Sequence, residues 1–219
     1  MREKDKRAYI ARRVAKEFVS GNVVNLGIGL PTLVANYLSD DVSIILHSEN
    51  GFLGIGGEPQ PGMEDKDLIN AGGKAACILA NGSCFDSAVS FGIIRGGHID
   101  TTVLGALEVD EQGNLANWMV PGKKVTGMGG AMDLVVGAQK VIIAMEHVNK
   151  DGSPKIVQRC TMPLTAKEEV DLIVTDMAVI AVHDDGLHLL EIAEDTTLEQ
   201  VLSCTAAKLI VPKGEIATF

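Results

Sequence analysis

Three stretches of this sequence carry residue types and spacings that can do chemistry. In Ser48-Glu49-Asn50-Gly51-Phe52-Leu53-Gly54-Ile55-Gly56-Gly57 a single carboxylate enters a glycine-rich turn directly behind the apolar run Val42-Ser43-Ile44-Ile45-Leu46-His47. The run reads as a strand, and α/β proteins present reactive groups where such strands end and glycines let the backbone turn. A Glu before Asn-Gly is also a common surface turn, so Glu49 alone decides nothing. In the second stretch, Val125-Thr126-Gly127-Met128-Gly129-Gly130-Ala131-Met132-Asp133-Leu134, a glycine loop runs into a helical pattern. Backbone N–H groups at such a junction can hold a phosphate or an oxyanion, and the same glycines can equally serve a tight turn. The third, Gly27-Ile28-Gly29-Leu30-Pro31-Thr32, follows the short strand Val23-Val24-Asn25-Leu26. With Glu49 about 20 residues on, it has the outline of a dinucleotide-binding fingerprint. Its third glycine is missing, because Thr32 stands there, and Leu30-Pro31 crowds the turn where a pyrophosphate would approach.

Other chemistries lack their parts. There is no G-x-S-x-G elbow for a serine hydrolase and no G-x-x-x-x-G-K-[ST] for a phosphate-binding loop. His47, His98, His147, His183 and His188 never pair at metal-ligand spacing, nor do Cys77, Cys84, Cys160 and Cys204, so no metal site is expected. The cysteines read as reduced core residues of a cytoplasmic protein. A net charge of −10 and an aromatic content of 4% argue against a nucleic-acid footprint. No apolar run approaches the roughly 18 residues of a membrane span. Paired carboxylates for glycoside cleavage stay open, although no second acid sits in a comparable glycine setting; the other reading is a carboxylate nucleophile attacking an activated acyl group, with backbone donors for the oxyanion.

The elements that must position these residues follow from periodicity. Ile10, Val14 and Phe18 at i, i+4 and i+8 predict an amphipathic helix over 10–19, closed by Gly21, rather than a signal peptide. Pro31 opens a short apolar helix to Leu38. Residues 58–76 are polar and turn-rich and read as a long excursion able to cover Glu49. Ile78-Leu79 and a turn at Asn81-Gly82-Ser83 precede a helix over 87–94. Residues 101–109 form one β-like run, 141–145 a buried strand, 178–182 and 187–192 a hairpin around Asp184-Asp185-Gly186, and 197–202 a capped helix. No linker or repeat interrupts the chain, so residues 1–219 are expected to form one α/β domain with helices on both faces of a mainly parallel mixed sheet, a three-layer sandwich.

Five blocks in order then carry a specific resemblance. Val24-Asn25-Leu26-Gly27-Ile28-Gly29-Leu30-Pro31, Ser48-Glu49-Asn50-Gly51, Ile94-Arg95-Gly96-Gly97-His98, Leu115-Ala116-Asn117-Trp118-Met119-Val120-Pro121-Gly122-Lys123 and Gly127-Met128-Gly129-Gly130-Ala131-Met132-Asp133 resemble the B subunits of the 3-oxoacid CoA-transferases, of the acetoacetate or butyrate type. The resemblance implies the family's α/β fold and a heteromer with an A subunit. It implies that Glu49 is the nucleophile of a ping-pong exchange between an acyl-CoA (acetoacetyl-, butyryl- or succinyl-CoA) and a short carboxylic acid, through a glutamyl-CoA thioester. Coenzyme A is then substrate and covalent intermediate, with no permanently bound cofactor. Gly130 matches the glycine whose N–H faces the acyl oxygen, with Gly129 beside it. Asn25, Gly27, Gly29, Asn50, Gly51 and Lys123 are the substrate-contact candidates, and Lys124 and Arg95 are further partners for CoA phosphates. His47 stands where the family usually carries Gln.

Overall fold

The computed structural model describes residues 3–122, 125 and 127–219. In chain order the elements are α1 (Glu3–Ala15), β1 (Val23–Leu26), a 3-10 segment (Pro31–Tyr37), β2 (Ile45–Ser48), β3 (Phe52–Ile55), β4 (Ile78–Cys84) and α2 (Ser87–Arg95). There follow β5 (Thr101–Leu104), β6 (Glu108–Asp110), β7 (Leu115–Ala116), α3 (Ala131–Gly137), β8 (Val141–Ala144), β9 (Ile156–Val157) and β10 (Leu172–Val174). The chain closes with β11 (Ala178–His183), β12 (Gly186–Ile192), α4 (Leu198–Cys204), β13 (Leu209–Ile210) and β14 (Ala217–Thr218).

Five parallel strands in the order β2-β1-β5-β8-β10 form the middle of the large sheet. Antiparallel β3 and β4 extend it beyond β2, and β11 and β12 extend it beyond β10. From β1 the chain crosses to β2 on one side and later returns to β5 on the other. The carboxyl ends of β1, β2 and β5 therefore flank a point where the winding reverses, the place where such sheets leave a crevice for ligands. A second small sheet runs β7-β6-β9.

Alternation along the strands divides the interior into two cores. Val24, Val103 and Ile142 face α1 and the 3-10 segment, packing with Ile10, Val14, Phe18 and Val34. Val141, Ile143, Ile173 and Ile180 face α2, α3 and α4, packing with Ile94, Leu134, Val135 and Val201. Burial on both faces explains why 141–144 is an uninterrupted apolar run. The expected sandwich of helices, sheet and helices is what the chain forms.

Several boundaries differ from the sequence reading. The first helix ends at Ala15 and not at 19, with i→i+3 bonds from Lys16 and Glu17 closing its last turn, while Phe18 stays buried beyond it. Arg13 anchors that helix by a two-pronged contact with Glu191 on β12 (2.7 Å for each pair) and a third bond to Glu17. The strand before Glu49 begins at Ile45, opposite Val23, because only from there does β1 offer a partner. Residues 31–37 wind as a 3-10 helix. Asn81-Gly82-Ser83 is no turn but the end of β4, where Gly82 passes so close to Gly54 of β3 that a Cβ would lie 2.9 Å from the Gly54 oxygen. The run 101–109 breaks at Gly105 into β5 and β6, which belong to different sheets. The cysteines do not sit in the core: Cys84 is exposed and the other three are half-buried.

His147, just past β8, is fully buried. Its Nε2 lies 2.8 Å from the Thr205 hydroxyl, which itself donates to the Val201 carbonyl and so receives the imidazole N–H. Its Nδ1 faces the Thr175 hydroxyl at 2.9 Å. This neutral ring ties the end of α4 to the ends of β8 and β10.

Candidate active site

Glu49 stands one residue beyond β2, half-buried, at the carboxyl edge of the parallel strands. Its Oε2 accepts a hydrogen bond from Asn25 Nδ2 at 3.1 Å. Asn25 lies on β1 directly opposite His47 of β2, so the parallel register brings the amide under the carboxylate. On the other side the Gly130 backbone, at the start of α3, closes over the Glu49 side chain. A Cβ at Gly130 would lie 3.2 Å from Glu49 Cγ and 3.4 Å from Phe91 Cζ. Gly130 has φ −85°, which any residue adopts, so glycine is required there by space and not by backbone shape. Its N–H has no acceptor among the described residues. Gly130→Ala is therefore expected to press the Glu49 carboxylate aside and to slow about tenfold any reaction that this carboxylate carries, because sub-ångström misplacement of a reacting group is costly. Its melting temperature should stay close to that of the wild type, and steady-state kinetics beside a melting curve would check both.

The turn carrying Glu49 is fixed on every side. Gly51 has φ +127°, and a Cβ there would fall 2.1 Å from the Phe85 carbonyl oxygen, so no other residue fits. Gly51 N–H donates to Ser48 O, and Gly51 O accepts from Phe85 N. Asn50 uses its side chain structurally: Nδ2 donates to the Ile69 carbonyl at 2.7 Å, and Oδ1 accepts from the Ser48 hydroxyl. Ser48 Oγ in turn receives the Ala71 N–H at 3.0 Å. The excursion 58–76 is thereby tied to the Glu49 turn through Asn50 and Ser48.

The remaining candidates divide between these roles. Gly27 N–H donates to Val103 O, and a Cβ at Gly27 would meet Leu104 at 2.9 Å, so this glycine lets β1 end against β5. Gly29 and Gly129 are exposed with positive φ and open space around them. Arg95 is engaged with Asp133 across α2 and α3 at 2.6 Å. Lys123 and Lys124 lie outside the described residues. A cleft of about 360 Å³ opens across the ends of β5 and β8, lined by Arg7, Leu30, Gly105, Glu146 and Lys155 among others; Glu49 is not among its lining residues. Among the described residues no three His, Cys, Asp or Glu stand together to hold a metal ion, and no helix is long and apolar enough to cross a membrane.

Sequence reasoning missed the support behind Glu49. His47 is 3% exposed, its Nδ1 3.3 Å from Asn25 Nδ2 and its Nε2 3.0 Å from the hydroxyl of Ser90, a buried residue of α2. Burial pushes the His47 pKa down, and the Glu49 charge only partly opposes this. The unusual residue two before Glu49 was the one available signal.

A carboxylate held by one oxygen at the end of a parallel strand, beneath a glycine loop, is an arrangement suited to acyl chemistry, and comparison with known proteins places the chain in a family. The Coenzyme A transferase family model matches residues 7–203, and the chain belongs to that family. The beta chain of the acetate CoA-transferase of Escherichia coli (strain K12) is 56% identical over 207 residues, which are 94% of this chain and 94% of that one. The B subunit of the probable succinyl-CoA:3-ketoacid coenzyme A transferase of Bacillus subtilis (strain 168) is 50% identical over 211 residues, 96% of this chain and 98% of that one. Among solved structures, the acyl-CoA transferase apoenzyme of Escherichia coli O157:H7 matches with TM-score 0.76 at 24% identity, covering 98% of this chain and 43% of that longer chain. Glutaconate coenzyme A-transferase of Acidaminococcus fermentans matches with TM-score 0.69 at 19% identity, covering 97% and 88%. At these identities the two structures speak for the fold alone.

Proposed function

We propose that this chain is the B subunit of a CoA-transferase that moves CoA from an acyl-CoA of the acetoacetyl, butyryl or succinyl type to a short carboxylic acid, with Glu49 as nucleophile. The observation that carries the reading is the Glu49 carboxylate itself, with Oε2 held by Asn25 and Gly130 pressed against its side chain without a Cβ. In the first half-reaction a Glu49 oxygen attacks the thioester carbonyl, and the C–S bond breaks to give a mixed anhydride and CoA thiolate. The thiolate then attacks the glutamyl carbonyl, the donor acid leaves as its carboxylate, and a glutamyl-CoA thioester remains. The acceptor carboxylate runs the same steps in reverse, expelling and then recapturing the thiolate, and frees Glu49. No proton needs to move, which suits a site whose nearest imidazole, His47, is held neutral by burial.

The Gly130 N–H, which has no acceptor among the described residues, is the donor assigned to the acyl oxyanion, with Gly129 beside it; one such donor contributes on the order of 3 kcal/mol. Gly27, Gly29, Asn50 and Gly51 are assigned to contact with the CoA thioester in this reading, as is Lys123, which lies outside the described residues. Ile28, Val89 and Met128, on segments around Glu49, are exposed, 39–72% of each. That apolar rim is where an A subunit would cover the site, in line with the naming of the relatives as one of two chains. Cytoplasmic acyl-CoA and carboxylate pools supply the substrates in this reading.

The test is to mix acyl-CoA with the complex of this chain and its A subunit, without acceptor acid, and then quench with borohydride or hydroxylamine. Mass spectrometry should find the reduced or hydroxamate product on the peptide containing Glu49, and only after acyl-CoA has been added. Modification on another residue, or none, would overturn the proposal.

A further inference from the structure

Glu49 shares its surroundings with an aromatic side chain of α2 that the exchange steps do not use. A Cβ built on Gly130 would meet Glu49 Cγ at 3.2 Å and the tip of the Phe91 ring, Cζ at 3.4 Å and Cε1 at 3.6 Å. Glu49 Cδ, one bond beyond Cγ, is the carbon that becomes the glutamyl carbonyl. The ring edge and the reacting carbon therefore flank the same glycine. Phe91 is half-buried, packed against the core beneath α2 and α3, which leaves part of its surface uncovered.

The ring is held from two directions. Phe85 N donates to Gly51 O at 2.9 Å just ahead of α2, and on α2 itself the Ser90 hydroxyl lies 3.0 Å from His47 Nε2. His47 and Gly51 stand on either side of Glu49 in the chain, so the helix carrying Phe91 is tied to the turn carrying the carboxylate. Arg95, one turn further along α2, lies over the ring with its Cζ 5.8 Å from the centroid, and its Nε donates to Asp133 of α3 at 2.6 Å. A guanidinium over an aromatic face attracts it, so the ion pair between α2 and α3 also fixes how the ring is turned.

A glutamyl-CoA thioester is exposed to a side reaction. Attack of water on the glutamyl carbonyl breaks the C–S bond, frees the Glu49 carboxylate and releases CoA, one water proton passing to the thiolate and the other to solvent. The CoA is then lost without transfer. Water surrounds the protein in vast excess over any acceptor acid, so a transferase must keep it from that carbon, and an apolar surface beside the carbon does so.

We propose that Phe91 is a specificity-determining residue: its ring edge forms an apolar wall beside Glu49 that favours a carboxylate carried on a short apolar chain over water as the group that displaces CoA. The inference rests on Glu49 being the nucleophile. It gives the Arg95–Asp133 pair a task as well, since that pair keeps the wall in place.

The experiment mixes the complete complex with acyl-CoA and follows two rates: loss of the glutamyl-CoA adduct without acceptor acid, and CoA transfer with it. Phe91→Ala should speed adduct hydrolysis about tenfold or more while transfer kcat falls by less than about tenfold, so the ratio of hydrolysis to transfer rises. Phe91→Leu, which keeps an apolar wall, should hold that ratio within about threefold of wild type. In water labelled with heavy oxygen, the label should enter the Glu49 carboxylate of the Ala variant, read on its peptide by mass spectrometry. A purely structural role would slow both rates together and leave the ratio unchanged. Melting curves identify a variant that fails to fold, and Phe91→Val then replaces Phe91→Ala. An unchanged ratio in the folded variant, or a Leu variant that hydrolyses as fast as the Ala variant, overturns the inference. Absence of any adduct on Glu49 in the wild type would instead remove the nucleophile reading on which it rests, so the two failures are distinct.

Discussion

Replacing Glu49 with Gln should reduce kcat by at least about 10⁴-fold on the mechanism proposed above, since an amide cannot form the anhydride on which both of its half-reactions depend. The substitution nearly preserves size, and its side-chain oxygen can still accept the Asn25 N–H, so the site should stay folded and KM for acyl-CoA should change little. Glu49→Asp keeps the carboxylate but withdraws it by one methylene from the position set by Asn25 and Gly130. A retraction of more than about 1 Å costs on the order of 100-fold or more. The expected series is therefore Glu far above Asp, and Asp above Gln and Ala. It would be read from steady-state exchange between acyl-CoA and a panel of short acids. A Gln variant within tenfold of wild type would exclude Glu49 from bond making.

Stability should depend on pH through a residue far from this chemistry. Burial holds the His147 pKa down to about 4 in the folded chain, with the nearby Asp176 charge only partly opposing it. The unfolded value is near 6.5. A folded-state pKa below the unfolded one means that folding expels a proton at mildly acidic pH. The contribution is then fully present above about pH 6.5 and is lost as the pH falls from there toward 4. At 1.36 kcal/mol for each pKa unit the loss is about 3 kcal/mol. Urea denaturation of wild type and His147→Gln at pH 7 and pH 4 would isolate this part, because all other titrations are shared. The wild type should lose about 3 kcal/mol more than the variant over that interval. Equal losses would show that the buried imidazole does not titrate with unfolding.

Much of the framework was legible in the sequence, for physical reasons that particular residues make plain. Val141-Ile142-Ile143-Ala144 is buried on both faces and so is apolar throughout, a pattern that length and composition expose. Glu49 was marked by the glycines around it, and Gly51 turns out to be demanded by a carbonyl oxygen that a Cβ would approach to 2.1 Å. Other features depend on contacts distant in sequence. Asn81-Gly82 has the composition of a turn, but β3 passes close enough to Gly82 to keep it in a strand. Asn25, His47 and Ser90 share no spacing that local pattern could detect. Only the strand register and the packing of α2 bring them together, so Glu49 was readable as a candidate and the side chains packed beneath it were not.

The anchoring of the excursion 58–76 bears on which part of it can vary. Its hold on the Glu49 turn lies at its far end, through the Ile69 carbonyl and the Ala71 N–H. Its base is closed by the paired backbones of Gly56, Gly57 and Cys77. The stretch between, residues 60–67, is exposed throughout and carries no bond to Asn25, His47 or Gly130. Mutation there can accumulate, and laboratory libraries can be built there, without moving the Glu49 turn. The architecture separates a region free to drift from one that is not.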